Sequence, residues 1–423
     1  MQLDADVIII GGGPAGSTAA TFLARAGHRV LLLEKDRFPR FHVGESLLPY
    51  NRPLFEEMGV WPALAEAGFP RKTGAQFHLA SGKKVTRFAF SNGVFTRHTE
   101  AIQVERARFD QILLEHARAS GAEVREGWSV RGFETSTGGV SVQAQSPNGE
   151  VRSFNAAHLI DASGRANLTG NQQGLRSVHP DHRKMAVFAH FDGVARSAGE
   201  AGGDTVIVRD ARHWFWLIPV SEERTSVGLV LDPADYTAHG RDAGAVFQRA
   251  VAASPLMQER LAKAARVGEL KATSDFSYFN RRLADPRVLR VGDAAGFMDP
   301  IFSAGVYLAM WTGRLAADAA ASALRAGHDG ERTYRAYDRR VRRAMQVYWR
   351  LVGHFYTQPF MELFLEPRNG LQVPAAVVAV LAGDLEPSWS IRWRLECFYL
   401  LVRVQKRWPL VPRITFAPPS LAT

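Results

Sequence analysis

The sequence has almost no cysteine, since Cys397 is the only one among 423 residues. A single thiol excludes an intramolecular disulfide, a CxxC redox pair and a cysteine-rich zinc site. The 13 histidines lack the HxxxH and HExxH spacings that bind metals, so no metal site is expected. A chain with so little cysteine fits a reducing compartment, and we expect a cytoplasmic protein.

Long hydrophobic runs are also missing. No apolar stretch approaches the ~18 residues that are needed to cross a bilayer. The chain begins with the acidic MQLDAD and passes at once into an apolar segment, whereas a signal peptide begins with basic residues and a longer apolar region. The sequence therefore predicts neither a transmembrane segment nor a signal peptide.

Acidic residues are in deficit, and the formal net charge is +10. No helix-turn-helix, zinc-finger or RNP pattern accompanies this charge, so nucleic acid is not an expected partner. Arginines on solvated helix faces are the simplest interpretation. The segment Ile391–Arg413, with six basic side chains, is a candidate surface for an acidic carrier protein or a membrane. Basic residues late in the chain include Arg339, Arg340, Arg342, Arg343, Arg392, Arg394, Arg403, Lys406, Arg407 and Arg413.

The segment Asp4–Glu34 reads as a strand, a glycine turn, a helix, a second strand and a terminal acid. The GxGxxG spacing allows a tight turn, a close approach of main-chain N–H groups to a pyrophosphate, and close packing of helix on strand. The acid about 20 residues after the turn is placed to accept hydrogen bonds from a ribose. This unit predicts a dinucleotide site with the contact residues Gly11, Gly13, Pro14, Ala15, Gly16 and Glu34.

The order of later elements predicts an α/β fold in which a nucleotide-binding domain is interrupted by a second sheet. A buried strand returns at DASGR, and a further strand with an acid-bearing turn follows at VGDAAG. Between them, short aromatic and β-branched runs indicate a mainly antiparallel sheet. Helices are expected near Pro53–Gly68 and over Arg108–Ala119. The predicted division gives residues 1–75, 101–180 and 276–330 to the nucleotide-binding domain, 76–100 and 181–275 to the inserted sheet, and 331–423 to a helical C-terminal region.

Three landmarks in this order resemble the FAD-dependent aromatic hydroxylase superfold, namely GGGPAG with Glu34, Asp161–Arg165 and Val291–Pro300. The resemblance implies a glutathione-reductase-type, Rossmann-like FAD-binding domain paired with a substrate sheet. It further implies that Asp293 holds the ribityl chain of the flavin and that Arg106 and Asp161 lie beside the cofactor. From the residues alone, Asp161 is equally well a turn residue.

Shorter motifs inside this pattern resemble those of the flavin-dependent halogenases. Trp214–Pro219 carries WxWxIP, and Phe297–Gly305 carries FxxPxxSxG. Lys72 in GFPRKTGA stands where that family has its essential lysine, and FHVGESLLP resembles its strap across the flavin. Phe302 replaces the glutamate of tryptophan halogenases, so the likeness is to the phenol and pyrrole type. The residues assigned by this resemblance are Lys72, Trp214, Trp216 and Ser303 for catalysis, Gly44, Glu45, Ser46, Pro300 and Gly305 for FAD, and Ala304 and Gly305 for halide.

The resemblance implies a reaction of reduced FAD (FADH2), dioxygen and chloride or bromide. A peroxide at flavin carbon C4a would oxidise the halide to hypohalous acid, which Lys72 would hold or convert to a haloamine. Two tryptophans at i and i+2 share one face of a strand, so they can wall the substrate from the flavin. The expected partners are a separate flavin reductase, because a second nucleotide-binding unit is missing, and an electron-rich aromatic ring, free, on a carrier protein or within a protein.

Other interpretations stay open at this point. Trp214 and Trp216 also suit an ordinary buried strand, Lys72 also suits an exposed surface, and Ser303 also suits a helix cap. A halogenase-like monooxygenase that hydroxylates a bulky or protein-borne aromatic, as in the maturation of quinone cofactors, would share the motifs. A flavin-binding assembly partner without turnover would share the FAD landmarks.

Overall fold

The computed structural model describes residues 2–368, 370–414 and 416. Its strands are β1 Ala5–Ile10, β2 Val30–Glu34, β3 Arg71–Lys72, β4 Gly74–Leu79, β5 Val85–Ala89, β6 Ala101–Ile102, β7 Glu123–Glu126, β8 Ser129–Ser136, β9 Gly139–Gln145, β10 Val151–Asp161, β11 Arg176–Asp192, β12 Thr205–Arg209, β13 Trp214–Pro219, β14 Arg224–Leu231, β15 Ala265–Asn280, β16 Ala284–Asp285, β17 Val288–Arg290 and β18 Gly296–Phe297. Its helices are α1 Pro14–Arg25, α2 Asn51–Met58, α3 Trp61–Glu66, α4 Arg106–Ala119, α5 Leu168–Gln172, α6 Pro233–Ala238, α7 Ala243–Ala252, α8 Pro255–Leu261, α9 Gly305–Ala326, α10 Glu331–Phe355, α11 Gln358–Phe364, α12 Val373–Ala382 and α13 Trp389–Arg407.

The first sheet is built around β1, whose apolar residues Val7–Ile10 are buried on both faces. Its order is β16-β17-β10-β1-β2-β7, with β8 and β9 attached beside β10. The strands β17, β10, β1, β2 and β7 run parallel, as expected where helices cover a sheet. Helix α1 follows β1 directly and packs against α9 and α4. This arrangement confirms the predicted nucleotide-binding unit.

The second sheet has the order β18-β15-β11-β14-β13-β12-β4-β5. All its neighbours are antiparallel except β12 and β4. Every residue of β13 is buried, because the strand lies inside the sheet and both faces are covered. The α/β class, the mainly antiparallel second sheet and the helical C-terminal region are thus confirmed.

Helices α9 to α13 complete the fold. Helix α9 is long and rich in alanine, and it packs on α1, whose Ala15 carbonyl would be 2.4 Å from a Cβ added at Gly313. Helix α10 packs on α9, while α11, α12 and α13 pack on one another. One hydrophobic cluster contains side chains of the first sheet, β13 and α9 to α13, so the C-terminal helices belong to the same core as both sheets.

Several predicted boundaries differ from the structure. The limits at residues 75/76, 180/181 and 275/276 fall inside β4, β11 and β15. In β11 the pairing register shifts between Val178 and Arg183, so the break in the sequence pattern marks an irregularity within one strand rather than its end. The helix expected near Pro53–Gly68 is two helices separated by the left-handed Gly59 (φ 75°), and α4 starts at Arg106 rather than Arg108.

Candidate active site

A cavity of about 580 Å³ lies where the two sheets meet α9 and α10. The glycine turn after β1 and the end of β2 form part of its lining, as do the tryptophans of β13, the residues before α9, and side chains of α10. The predicted site residues that line it are Gly11, Gly13, Pro14, Ala15, Glu34, Gly44, Glu45, Ser46, Arg106, Trp214, Trp216, Asp293, Pro300, Ser303, Ala304 and Gly305. Sixteen of the nineteen predicted site residues therefore meet at one place.

The glycine turn has no room for side chains at two of its positions. Gly11 has φ 97°, and a Cβ added there would lie 2.4 Å from the Ala162 carbonyl oxygen. A Cβ at Gly16 would lie 1.9 Å from the Gly11 carbonyl oxygen, so Gly16 packs against the turn instead of lining the cavity. Gly13 is the N-cap of α1 and has no capping side chain. The first N–H groups of α1 are thus available to an anionic group in the cavity.

Two carboxylates face the cavity where strands of the first sheet end, Glu34 as the last residue of β2 and Asp293 in the turn after β17. Glu34 is 4% exposed, and its Oε2 accepts a hydrogen bond from the Gly12 N–H at 2.6 Å. Burial raises the pKa of Asp293 to about 6, although the charges of Arg165 and Arg106 act in the opposite direction. Within residues 2–368, 370–414 and 416, no donor hydrogen-bonds the Asp293 side chain. That carboxylate is therefore available to a hydroxyl-bearing ligand.

The strap residues Gly44, Glu45 and Ser46 are held over the cavity by charged partners. Arg106 makes a two-pronged ion pair with Asp110 at 2.7 and 2.8 Å, and its Nη1 donates to the Val43 carbonyl at 2.9 Å. Glu45 is buried, and its Oε1 lies 2.7 Å from the His190 Nε2 on β11. These contacts join the strap to α4 and to the second sheet.

These features fit a flavin dinucleotide. A bare helix N-terminus beside glycines suits a pyrophosphate, and the carboxylates of buried Glu34 and half-buried Asp293 suit sugar and ribityl hydroxyls. The cavity continues between apolar walls, which suits a planar ring system. A metal has no comparable site, since the described ranges contain no group of three His, Cys, Asp or Glu side chains that could hold one. Nor does any helix in those ranges combine the length and hydropathy that a membrane span needs.

Trp214 and Trp216 form an aromatic wall of the cavity. Their ring centroids are 6.1 Å apart, and both side chains are nearly fully buried. Trp216 Nε1 donates to Ser226 Oγ at 3.1 Å, and its indole covers Gly228, where an added Cβ would lie 2.1 Å from Cζ2. Trp214 Nε1 donates to Tyr356 Oη at 3.0 Å. Hydrogen bonds thus fix both indoles, and Gly228 on β14 leaves the space that the Trp216 ring occupies.

Lys72 lies behind the cavity lining rather than in it. Its side chain is 1% exposed, and its Nζ donates to Ser46 Oγ at 2.8 Å and to the Leu47 carbonyl at 3.0 Å. Ser46 lines the cavity and also hydrogen-bonds Thr205 Oγ1 at 2.7 Å. Burial lowers the pKa of Lys72 to about 7, against the opposing charge of Asp204. The amine is therefore one hydrogen bond from the cavity and partly neutral near physiological pH.

The turn before α9 brings main-chain groups to the cavity. Ser303 has φ 58°, which places it in the left-handed region, and α9 starts two residues later at Gly305. The first N–H groups of α9 lack partners within the helix, so they can bind an anion. Phe302 packs edge-on against Phe355 with centroids 5.5 Å apart, which makes this position apolar.

Asp161 is not placed in the cavity. It is fully buried, and its carboxylate accepts hydrogen bonds from Ser163 N–H, Thr169 N–H and Thr169 Oγ1 at 2.9, 2.8 and 2.6 Å. This carboxylate shapes the turn that follows β10, because its oxygens are directed at that turn and not at the cavity. The expected direct contact with the cofactor therefore has no support in the geometry.

Two residues that the motifs did not single out join the wall to the turn before α9. Asp299 lines the cavity, and its Oδ2 accepts a hydrogen bond from Tyr356 Oη at 2.5 Å. Its Oδ1 accepts from the Ile301 N–H at 3.1 Å, and burial raises its pKa. Asp299 occupies a variable position of FxxPxxSxG, and Tyr356 lies at the end of α10 outside every motif, so only an alignment of sequences could have indicated them.

Comparisons with known proteins agree with this geometry. Residues 4–350 match the protein family described as FAD binding domain. Over 412 residues the chain is 32% identical to the 1H-pyrrole-2-carbonyl peptidyl-carrier-protein chlorinase of Pseudomonas fluorescens, with 90% of each protein covered. A solved flavin-dependent brominase is similar with a TM-score of 0.85 and 28% identity, covering 95% of this chain and 100% of that one. A flavoprotein/dehydrogenase from Cytophaga hutchinsonii has a TM-score of 0.86 and 26% identity, covering 95% and 98%.

Proposed function

Because this chain belongs to the flavin-dependent halogenases, we propose that it chlorinates or brominates an electron-rich aromatic ring of the pyrrole or phenol type, presented on a carrier protein. The similarity to a chlorinase whose name specifies a carrier-bound pyrrole supports the substrate class, since 90% of both proteins is covered. Phe302 supports it as well, because an apolar residue at this position leaves activation to the ring itself.

One observation carries the proposal. The cavity that fits FAD also contains the aromatic wall, and a buried lysine with a pKa of about 7 lies one hydrogen bond behind its lining. Reduced FAD, when bound, supplies the electrons that activate dioxygen. The residues of the chain then determine where the oxidised halogen goes.

Trp214 and Trp216 would keep the organic substrate away from the flavin. Both indoles are rigidly held, and they face the cavity from the middle of a sheet. A small halide and hypohalous acid can pass such a wall where a substituted ring cannot. Direct oxygen transfer to the ring is thereby prevented.

The halide would lie at the turn before α9, where the N–H groups of Ala304 and Gly305 can donate to it. FAD would contact the same turn at Pro300 and Gly305. Ser303, in its left-handed conformation, holds the main chain in the shape that presents these donors.

Lys72 would deliver the halogen. Its neutral amine can accept the electrophilic halogen from hypohalous acid or hold the acid by a hydrogen bond, and only the neutral form has the free electron pair. Ser46 stands between the amine and the cavity, so its hydroxyl must turn aside or relay the hydrogen bond. In forming the haloamine, the oxygen–halogen bond breaks, a nitrogen–halogen bond forms, and the hydroxide takes an amine proton and leaves as water. In the transfer, the carbon–halogen bond forms as the nitrogen–halogen bond breaks, and the ring proton returns to the amine; if the acid is only held, its hydroxide takes the ring proton and leaves as water.

We further infer that a separate flavin reductase supplies the reduced cofactor. The chain has one GxGxxG turn, at Gly11–Gly16, and the FAD-fitting cavity accounts for it. Tight binding of oxidised FAD with stoichiometric NADH oxidation by the purified chain alone would contradict this inference.

The proposed function is tested by incubating the protein with FAD, a flavin reductase, NADH, dioxygen, bromide and either a pyrrole-2-carbonyl thioester or an activated phenol. Mass spectrometry of the products is expected to show the bromine isotope pair, and no halogenated product without bromide. A product that gains oxygen whether or not bromide is present would instead establish a monooxygenase. Reduced FAD that reoxidises slowly without any product would point to a flavin-binding partner protein.

A further inference from the structure

A basic groove lies on the outer side of α10, away from the cavity. It has a volume of about 690 Å³ and is lined by α10 and the segment that leads into α13. Its charged lining consists of four arginines and one glutamate. Its residues are Ala336, Arg339, Arg340, Arg343, Ala344, Gln346, Val347, Leu385, Glu386 and Arg392.

Two of the four arginines are already paired. Arg340 donates to both oxygens of Glu386 at 2.7 and 2.6 Å, and the Arg392 Nε donates to the Pro387 carbonyl at 2.8 Å. Arg339 and Arg343, by contrast, are exposed, and within the described ranges neither makes a hydrogen bond or an ion pair. The groove therefore offers two uncommitted guanidinium groups one helical turn apart.

The groove also has an apolar edge. Val347 in its lining is half-buried and Leu385 is buried, so the exposed apolar surface comes from Trp389, which lies beside the lining, one turn before Arg392 on α13, with 79% of its surface exposed. Exposed tryptophan next to arginine is the combination that is enriched at the centres of protein interfaces. A small anion alone would have no use for this apolar surface.

The position of the groove relates it to the active site. Met345, Tyr348 and Val352 of α10 line the cavity, whereas the arginines of α10 line the groove. At about 100° per residue, these two sets of positions centre on opposite sides of the helix. A partner in the groove would lie roughly one helix diameter, about 10–12 Å, from the cavity wall.

We propose that this groove docks an acidic carrier protein, with carboxylates of the carrier on Arg339 and Arg343 and an apolar side chain against Trp389. The proposal rests on the proposed function, since it identifies the surface on which a carrier-bound substrate arrives. Charge complementarity of this kind raises the association rate and is weakened by salt.

The test compares wild type with the double variant Arg339→Glu/Arg343→Glu on two substrates. One is an acidic peptidyl carrier protein loaded with a pyrrole-2-carbonyl thioester, and the other is pyrrole-2-carbonyl pantetheine. The charge reversal should lower kcat/KM for the loaded carrier about tenfold or more by raising KM. It should also make this kcat/KM less dependent on salt concentration. The rate with the pantetheine thioester should stay unchanged, because the variant does not touch the cavity.

A matched control, Arg249→Glu/Lys263→Glu, reverses two exposed charges outside the groove. Arg249 lies on α7, and Lys263 follows α8. This control changes the net charge equally and should leave both substrates unaffected. If both double variants lose kcat/KM for the loaded carrier equally, the change in net charge explains the loss and the docking site is overturned. An unchanged kcat/KM for the carrier in Arg339→Glu/Arg343→Glu would overturn it too.

Binding of the loaded carrier to the FAD-loaded protein, measured by fluorescence anisotropy, separates this proposal from the proposed function. If neither substrate is halogenated, the proposed function fails, yet weaker carrier binding by Arg339→Glu/Arg343→Glu than by the control still supports the groove. Equal binding by both variants contradicts it. Tighter binding of a DNA duplex than of the carrier, lost in the groove variant, would contradict the assignment to a protein partner.

Discussion

At the scale of single residues, the position of Lys72 explains its ionisation. Its amine is surrounded by protein, and its hydrogen bonds to Ser46 and Leu47 do not replace full hydration, so burial lowers the pKa to about 7. A motif could indicate that this lysine matters. It could not show that Ser46 separates it from the cavity, because that depends on how β3 packs behind the strap.

The ionisation of Lys72 predicts a pH dependence. The haloamine route needs the neutral amine, so on this route the ratio of halogenated product to dioxygen consumed should rise with pH, with a midpoint near 7, and fall about tenfold per unit well below it. The measurement is product and dioxygen consumption across a pH series with saturating bromide. A ratio that stays constant from about pH 5.5 to about 8.5 would argue against neutral Lys72 as the carrier of halogen.

The variant Lys72→Arg is the companion experiment. A guanidinium stays protonated at all these pH values, so the variant should lose halogenation at every pH while it still consumes dioxygen. Halogenation by Lys72→Arg with the pH profile of wild type would show that the titrating group is another one.

At the scale of secondary structure, the aromatic wall depends on two neighbours in sequence-distant elements. The alternation of WxWxIP predicts strand β13 with both tryptophans on one face, and the structure agrees. The hydrogen bond from Trp214 to Tyr356 and the glycine beneath Trp216 were not predictable, because they depend on α10 and β14. The register shift in β11 was missed for a similar reason, since periodicity does not show which irregularities the partner strand tolerates.

Tyr356→Phe should disturb the wall. It removes the acceptor of the Trp214 N–H and the donor to Asp299, which should cost about 1–3 kcal/mol of stability and increase peroxide release per dioxygen consumed. Tyr337→Phe is the control, because this buried tyrosine on the same helix donates to the Arg290 carbonyl and lies outside the cavity lining. If both variants release peroxide equally, the Tyr356 hydrogen bonds do not position the wall.

Gly228→Ala should move Trp216. The added methyl group would meet the indole at 2.1 Å, so the ring must shift, at a cost of about 1–3 kcal/mol and with loss of halogenated product. Gly353→Ala on α10 is the matched change, because no atom of the residues that the structure describes lies within 4 Å of an added Cβ, and it should raise stability by about 0.5–1 kcal/mol. Thermal unfolding and product yield of the two variants check this, and full activity of Gly228→Ala would refute it.

At the scale of the whole molecule, the cavity joins both sheets and the C-terminal helices. The return of the DASGR strand predicted that the second sheet is inserted into a nucleotide-binding fold, and the parallel pairing of β10 with β1 agrees. The C-terminal region offered only a helical pattern. Its packing around α10, with the cavity on one side and the basic groove on the other, follows from tertiary contacts that no local motif describes.

FAD should stabilise the whole chain, since its cavity is shared by both sheets. At 100 times Kd, binding adds about 2.7 kcal/mol, which corresponds to roughly 2–4 °C in Tm for a chain of this size. Asp293→Ala should raise the Kd for FAD about tenfold or more by removing the acceptor for ligand hydroxyls, whereas Asp318→Ala on the exposed side of α9 should not. Equal FAD titrations for both variants would remove Asp293 from the cofactor site.

The central claim is that Lys72, behind the cavity lining, transfers the halogen after dioxygen has been activated in the cavity. The most direct measurement is the ratio of brominated product to dioxygen consumed, for wild type and Lys72→Met, with Tm recorded for both. The account predicts that Lys72→Met consumes dioxygen at the wild-type rate, keeps its Tm because a buried amine is replaced by an apolar chain of similar size, and makes no brominated product. Bromination by Lys72→Met at the wild-type ratio would contradict the account.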